Sequence, residues 1–334
     1  MKKLRAGVIG LGVGQKHAES YQQHPNCELA VICDFDAQRL QEVQQHFPDT
    51  RVTLKPEDVL TDPHIDIVSI ASYDQHHFEQ IMLALEHDKH VFVEKPVVLF
   101  RDHAAAIRAA LRKKPHLQLS SNLIMRCYPR FTALKERIDQ GELGQLYHVE
   151  ADYNYGRLEK ITNGWRGQLD FYSVIYGGGV HIIDLLLWLT GDRVIEVAAF
   201  GNNLASQGTN FRFNDMVVGI LQFESGMTGK ISANFGCVFP HFHAVNLYGT
   251  RSTFVNAFDY GLLYTSRSRA EAPQKLDAPY PGVDKGELLL QFIDAIIAGN
   301  EPPVSIEAVM DTMSVCFCLE MAVQQSCKIK VEYL

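Results

Sequence analysis

LRAGVIGLGVGQKHA, residues 4–18, decides the fold. Six residues of apolar strand character end at Ile9. Glycines follow at Gly10, Gly12 and Gly14, and helical text begins at once. A strand, a glycine turn and a helix in that order open a βαβ unit whose helix N-terminus favours an anion. Gly10 permits the tight turn, Gly12 lets backbone approach a pyrophosphate, and Val13 and Gly14 lead into the helix. The usual fingerprint has its third glycine where Gln15 stands. With the glycine one residue early, looser packing of helix on strand is expected there.

Working outward, residues 28–33 (ELAVIC) form a second strand, and Asp34 stands at its end, 20 residues after Gly14. A carboxylate there accepts hydrogen bonds from ribose hydroxyls and repels a 2′-phosphate, which favours NAD over NADP. The plainer role for Asp34 is capping the next helix, for which Asp36 competes. Residues 51–54, 65–71, 89–93 and 117–120 read as further strands. Helical text occupies 36–47, 75–87 and 102–112. This alternation predicts right-handed crossovers and a doubly wound parallel sheet covered on both faces.

The carboxyl ends of such strands line a ligand crevice. The turn after strand four therefore brings Ser72, Asp74 and His77 toward the cofactor. Asp74 also suits a helix cap, and His76 or His77 a plain surface position. Strand five ends at Glu94-Lys95-Pro96. Lys95 is placed near the nicotinamide half, where an amine acts neutral as a base or charged as an electrostatic partner. Partial burial and an oxidised nicotinamide both favour its neutral form. Glu94 orients Lys95 or bonds the cofactor, and Pro96 suits a cis bond. The bland alternative is a lysine snorkelling at a strand end.

After Asn122 the pattern changes, so the boundary is set at 1–122 and 123–334. Residues 145–156, 193–202, 216–236 and 243–258 alternate apolar and polar and contain glycine turns. Helices are expected at 128–139, 179–189, 287–298 and 306–325. The expected second domain is α+β, built on an open, mainly antiparallel sheet with one face on helices. The other face is free for a partner subunit.

With 334 residues, 46% hydrophobic and 21% charged, the chain suits two globular domains. A net charge of −8 without a basic run argues against nucleic acid and anionic membrane. No apolar run is long enough to span a bilayer, and Arg5 and the glycines interrupt what could pass for a secretory signal. Seven cysteines at irregular spacing point to a reducing cytoplasm. His241 and His243 lack an acidic or cysteine partner nearby, and no metal site is expected. Cys316 and Cys318 read as core.

Chemistry in the second domain centres on Tyr176–Asp184, YGGGVHIID. Its glycines permit close approach of backbone to a ligand. His181 and Asp184 share a helix face. Asp184 is expected to bind substrate or tune His181, and Tyr176 to serve as an acid. Upstream, Tyr155, Arg157, Lys160, Trp165 and Arg166 mix aromatics with cations, suiting a sugar face and an anionic group, or a plain surface loop. Asn122 and Arg126 are expected to line the substrate crevice.

GVIGLGVGQKHA, ASYDQHHFEQIMLALEHDKHVFVEKP and GGGVHIIDLLLWLTG together resemble the Gfo/Idh/MocA family of NAD(P)-dependent oxidoreductases, over nearly the whole chain. The Glu-Lys-Pro step and the later Gly-Gly-x-x-His-x-x-Asp carry the resemblance. It implies a Rossmann domain, an open α/β domain, and an oligomer acting on sugars, polyols or their derivatives. The family lysine maps onto Lys95 and the family histidine onto His181, which then exchanges the hydroxyl proton. The aspartate often found four residues before that histidine is here Gly177, and Ser72-Tyr73 replaces the common Thr-Pro. The expectation is an NAD-dependent dehydrogenase of a secondary alcohol in a sugar, polyol or nucleotide sugar. It would be a homodimer or homotetramer assembled through the second sheet. A reductase of another unsaturated bond and a non-catalytic NAD sensor are the rivals.

Overall fold

Residues 3–334 are described by a computed structural model. Two compact units are resolved. One takes residues up to Ile124 together with Asp284–Met310 and Leu334; the other takes Met125–Val283 and Asp311–Tyr333. The segment 284–310, which follows the whole second sheet in sequence, thus belongs to the first unit.

The first unit alternates strand and helix: β1 (Leu4–Ile9), α1 (Gly14–Gln23), β2 (Cys27–Cys33), α2 (Ala37–Gln44), β3 (Arg51–Thr53), α3 (Glu57–Leu60), β4 (Ile67–Ile70), α4 (His77–Glu86), β5 (His90–Val93), α5 (Arg101–Lys113) and β6 (Leu119–Ser121). Among the described residues the strands form a six-stranded sheet in the order β3-β2-β1-β4-β5-β6, with every pairing parallel. The order reverses between β1 and β4, the place where such sheets take ligands. β4 is buried along its whole length, as a central strand covered on both faces must be. Its one polar side chain, Ser69, shares a hydrogen bond of 3.0 Å with Tyr21 Oη. Asp36 caps α2, accepting from the N–H groups of Gln38 at 2.9 Å and Arg39 at 3.1 Å.

In the second unit come α6 (Pro129–Asp139), β7 (Leu146–Asn154), α7 (Glu159–Thr162), a π-helical segment (Ile175–Gly179), α8 (Val180–Thr190), β8 (Val194–Asn202), β9 (Met216–Phe223), β10 (Thr228–Asn234), β11 (Phe242–Gly249), β12 (Thr253–Asn256), β13 (Gly261–Tyr264) and β14 (Gln274–Leu276). Two helices follow, α9 (Glu287–Ala298) in the first unit and α10 (Ile306–Gln325), within which the unit boundary falls; β15 (Ile329–Lys330) ends the chain's regular structure. The nine strands described here run β14-β13-β12-β11-β7-β10-β9-β8-β15. Only the β7–β10 pair among them is parallel. β13 and β14, only four and three residues long, lie beyond the strand text read from sequence.

β7 shows why this sheet has two unlike faces. Val149, Ala151 and Tyr153 are buried, while the residues between them are partly exposed. On that exposed face Lys230 and Ser232 both reach Asp152, and Asn246 reaches Glu150 at 3.1 Å. The buried face takes the unit's core.

Candidate active site

The glycine turn between β1 and α1 is built by close packing. Gly10 has φ +85°, and a Cβ there would fall 2.4 Å from the carbonyl oxygen of Ala71. The first turn therefore lies directly against the turn after β4, as sequence predicts. A Cβ at Gly12 would meet nothing within 4 Å, so the backbone there faces open space. A Cβ at Gly14 would sit 3.0 Å from Val8 and 3.1 Å from Ala71. The looser packing expected from the displaced third glycine does not occur, because Gly14 itself makes the close helix–strand contact. Val13, half-buried, precedes α1 in helical backbone geometry.

Asp34 is 5% exposed at the end of β2. One carboxylate oxygen accepts the Leu11 N–H at 2.6 Å and the other the Asp36 N–H at 2.9 Å. It thereby fixes the glycine turn, and a carboxylate with about four acceptor positions retains capacity for ribose hydroxyls. An open cradle at Gly12 beside this acid fits a dinucleotide with an unphosphorylated ribose.

The strand-four turn is held by a buried histidine. His77 places Nδ1 2.8 Å from the Pro96 carbonyl oxygen and Nε2 3.2 Å from that of Ser72. It clasps the turn after β4 to the turn after β5, which is neither a surface position nor a group left open to a ligand. Exposed His76 is the surface one. Asp74, buried, opens a short 3-10 turn ahead of α4.

Lys95 lies half-buried at the end of β5, and its bond to Pro96 is cis. Behind it, Glu94 Oε1 accepts the Asn122 amide at 2.8 Å, and His17 Nε2 lies 3.4 Å from the same oxygen. Burial alone would raise the Glu94 carboxyl. His17, the Lys95 charge and the Asn122 bond outweigh it and hold the group well below the ordinary carboxylate range. Asn122 also donates to the Lys285 carbonyl at 3.2 Å. Its Nδ2 is thus taken by the protein, while its buried Oδ1 has no protein partner among the described residues. His17, fully buried, was not singled out as a site residue because a histidine on a helix carries no spacing signal.

In the second unit, His181 lies in the first turn of α8 and is 9% exposed. Its ring stacks on Tyr153, centroids 6.1 Å apart at 18°. Asp184 is fully buried and taken by Arg126, which donates from Nη2 at 2.6 Å and from Nε at 3.0 Å, with Thr312 Oγ1 at 3.3 Å. This bidentate pair occupies two residues expected to contact substrate. Tyr176 packs between Phe317 and Phe171, centroids 5.7 and 5.8 Å away. Burial, with Glu320 nearby, pushes its phenol well up, which makes it a poor acid.

The glycines before His181 are filled by the protein itself. A Cβ at Gly177 would fall 2.1 Å from the Tyr172 hydroxyl, and one at Gly178 2.5 Å from the Tyr153 ring. The room read from sequence as ligand space is aromatic core. The Tyr172 hydroxyl stands where a side chain at 177 would begin.

Tyr155 joins this aromatic group against Phe235 at 4.7 Å and His241 at 5.3 Å. Arg157 lies over the Tyr155 ring at 5.2 Å, and Arg166 over Trp165 at 4.4 Å. Arg157 is exposed; Trp165 and Arg166 are half-buried. Tyr153 and His243, which the strand alternation of β7 and β11 buries, escaped the sequence reading as site residues.

The family described as "Oxidoreductase family, NAD-binding Rossmann fold" matches residues 4–122, and "GFO/IDH/MocA C-terminal domain" matches residues 131–255. The chain belongs to the Gfo/Idh/MocA family. It is an oxidoreductase with an NAD-binding Rossmann domain. Myo-inositol 2-dehydrogenase of Thermotoga maritima is 26% identical over 74% of this chain and 73% of its own. The scyllo-inositol 2-dehydrogenase (NAD(+)) of Bacillus subtilis is 24% identical over 75% and 73%. In fold, the chain is similar to levoglucosan dehydrogenase in complex with NADH and L-sorbose, with a TM-score of 0.87, 19% identity and 99% of both chains covered.

Proposed function

We propose that the enzyme oxidises a secondary alcohol of a ring polyol or sugar to a ketone, reversibly, with NAD. The observation that carries this reading is the supported Glu94-Lys95 step at the strand-five end, in a family whose relatives include inositol dehydrogenases. Gly10, Gly12, Val13 and Gly14 would hold the pyrophosphate and Asp34 the adenosine ribose, with Ser72 and Asp74 at the neighbouring turn. When bound, the nicotinamide supplies the hydride acceptor.

This chain's own residues manage the proton. The imidazole of His181 takes it from the substrate hydroxyl, and Lys95 Nζ stabilises the oxygen as charge develops. Glu94, held ionised, supplies the negative charge beside that amine. Arg126 and Asp184 keep α8 in place, so that the His181 ring is held rigidly. Tyr155, Arg157, Trp165 and Arg166 would give the sugar its aromatic and cationic surroundings. The partly exposed face of the second sheet supports a homodimer or homotetramer. The odd count and irregular spacing of the seven cysteines support a reducing cytoplasm.

The test is Lys95→Met and His181→Asn, followed at the NADH absorbance over a panel of inositols, aldoses and nucleotide sugars. Each should lose roughly 10³-fold in kcat, while NADH affinity by fluorescence titration is kept in Lys95→Met. Turnover within tenfold of the parent in either variant would refute the assignment. Tighter binding of NADPH than NADH would refute the role given to Asp34.

A further inference from the structure

His243 is 5% exposed on β11 and is held from three directions. Its backbone N–H donates to Tyr280 Oη at 3.1 Å, and its carbonyl accepts from Asn256 Nδ2 at 2.8 Å. Its Nδ1 makes a short contact of 2.5 Å with the same Tyr280 oxygen. Oη accepts the backbone N–H and also carries a proton that can be given to Nδ1. With the Tyr280 proton given to Nδ1, the ring's one proton sits on Nε2. Among the described residues no protein acceptor reaches Nε2, and it is not sealed from solvent.

Tyr280 is fixed in turn. Arg130, 2% exposed, lies over its ring at 5.1 Å. That guanidinium is satisfied by the carbonyls of Ala278, Ala257 and Asp259 and by Asn256 Oδ1, at 2.7 to 3.1 Å. On its other side the His243 ring lies 5.1 Å from Tyr153, the ring that stacks on His181. A firmly held imidazole thus flanks the same aromatic ring as His181.

We propose that His243 is a specificity-determining residue whose Nε2–H donates to one hydroxyl of a neutral ring polyol, away from the carbon oxidised. This rests on the dehydrogenase reading above and names the substrate feature it selects. Neutrality follows from the surroundings. Burial, with His241 beside it, pushes the imidazole down to about 3, so no charge is available to it near neutral pH. Arg130 has its donors occupied. The neutral imidazole adds no charge for a carboxylate, whereas a hydroxyl exchanges one hydrogen bond for another.

The experiment pairs variants with substrate analogues. Myo-inositol, scyllo-inositol and single-position deoxy-inositols are titrated calorimetrically into NADH-saturated protein, and kcat/KM is measured alongside. In the parent protein one deoxy position should bind about tenfold more weakly. In His243→Phe, the intact polyol should lose that factor and the same deoxy analogue should lose nothing further. Tyr280→Phe, which frees the tautomer, should give a smaller loss confined to that position. Equal weakening of every ligand by His243→Phe would overturn the proposal, since a purely structural role predicts it. If the phenylalanine variant does not fold, equal weakening by Tyr280→Phe overturns it as well. Turnover without position-specific coupling removes His243 and leaves the dehydrogenase reading. Coupled binding without turnover removes that reading and leaves His243. Absence of both polyol binding and turnover removes both.

Discussion

Two glycine runs in this chain look alike and do opposite things. In Gly10–Gly14 one glycine is demanded by backbone geometry, one leaves space open, and one packs against a strand. In Gly177–Gly179 the space beside the first two is filled by Tyr172 and Tyr153. The first run makes room for a ligand. The second makes room for the aromatic layer on which His181 rests. A glycine reports that something comes close, and the identity of that neighbour is a tertiary fact.

Substitutions can break this comparison. Gly10→Ala should cost about 3 kcal/mol, since it combines a positive φ with a clash against the Ala71 carbonyl. Gly12→Ala should leave the denaturant midpoint nearly unchanged and weaken NADH binding about tenfold. Equal stability losses at the two positions would mean the first run is packed like the second. Gly177→Ala should cost roughly 2 kcal/mol through overpacking against Tyr172, and far less in a Tyr172→Ala background. Additive costs in that double-mutant cycle would show that Tyr172 is not what fills the position.

The smallest effect is read in pH. His243 has a lowered folded-state value of about 3 against an ordinary 6.5. The unfolded chain therefore binds the proton first on acidification. Stability from this group is complete above pH 6.5 and falls as the pH drops toward 3. At pH 5 the loss is up to about 2 kcal/mol. His243→Phe should flatten the difference in unfolding free energy between pH 7 and pH 5. An unchanged difference would mean that the imidazole is not held neutral, and the donor assigned to it would lose its basis.

The first unit was legible because its chemistry is made by backbone. Strand, turn and helix follow one another within residues 4–23, and Asp34 and Lys95 are each the residue at or just past a strand end. The parallel order, the switch point and the neighbouring turns follow from that local text and the handedness of crossovers. The second unit was legible as elements but less so as a site. Asp184 looked available until Arg126, 58 residues away, was found on it. His243 reads as half of a weak metal pair in sequence, whereas Tyr280, 37 residues on, lies against its Nδ1. Asn122 reads as a crevice residue in sequence, and Glu94 takes its Nδ2.

Local sequence by itself determined the architecture, the NAD-binding half of the enzyme and where Lys95 and His181 fall in their elements. Tertiary structure decided which polar groups the protein itself already occupies. The physical reason is range: backbone geometry and apolar periodicity act between neighbours in the chain, whereas burial and hydrogen-bond satisfaction depend on whichever distant residue arrives.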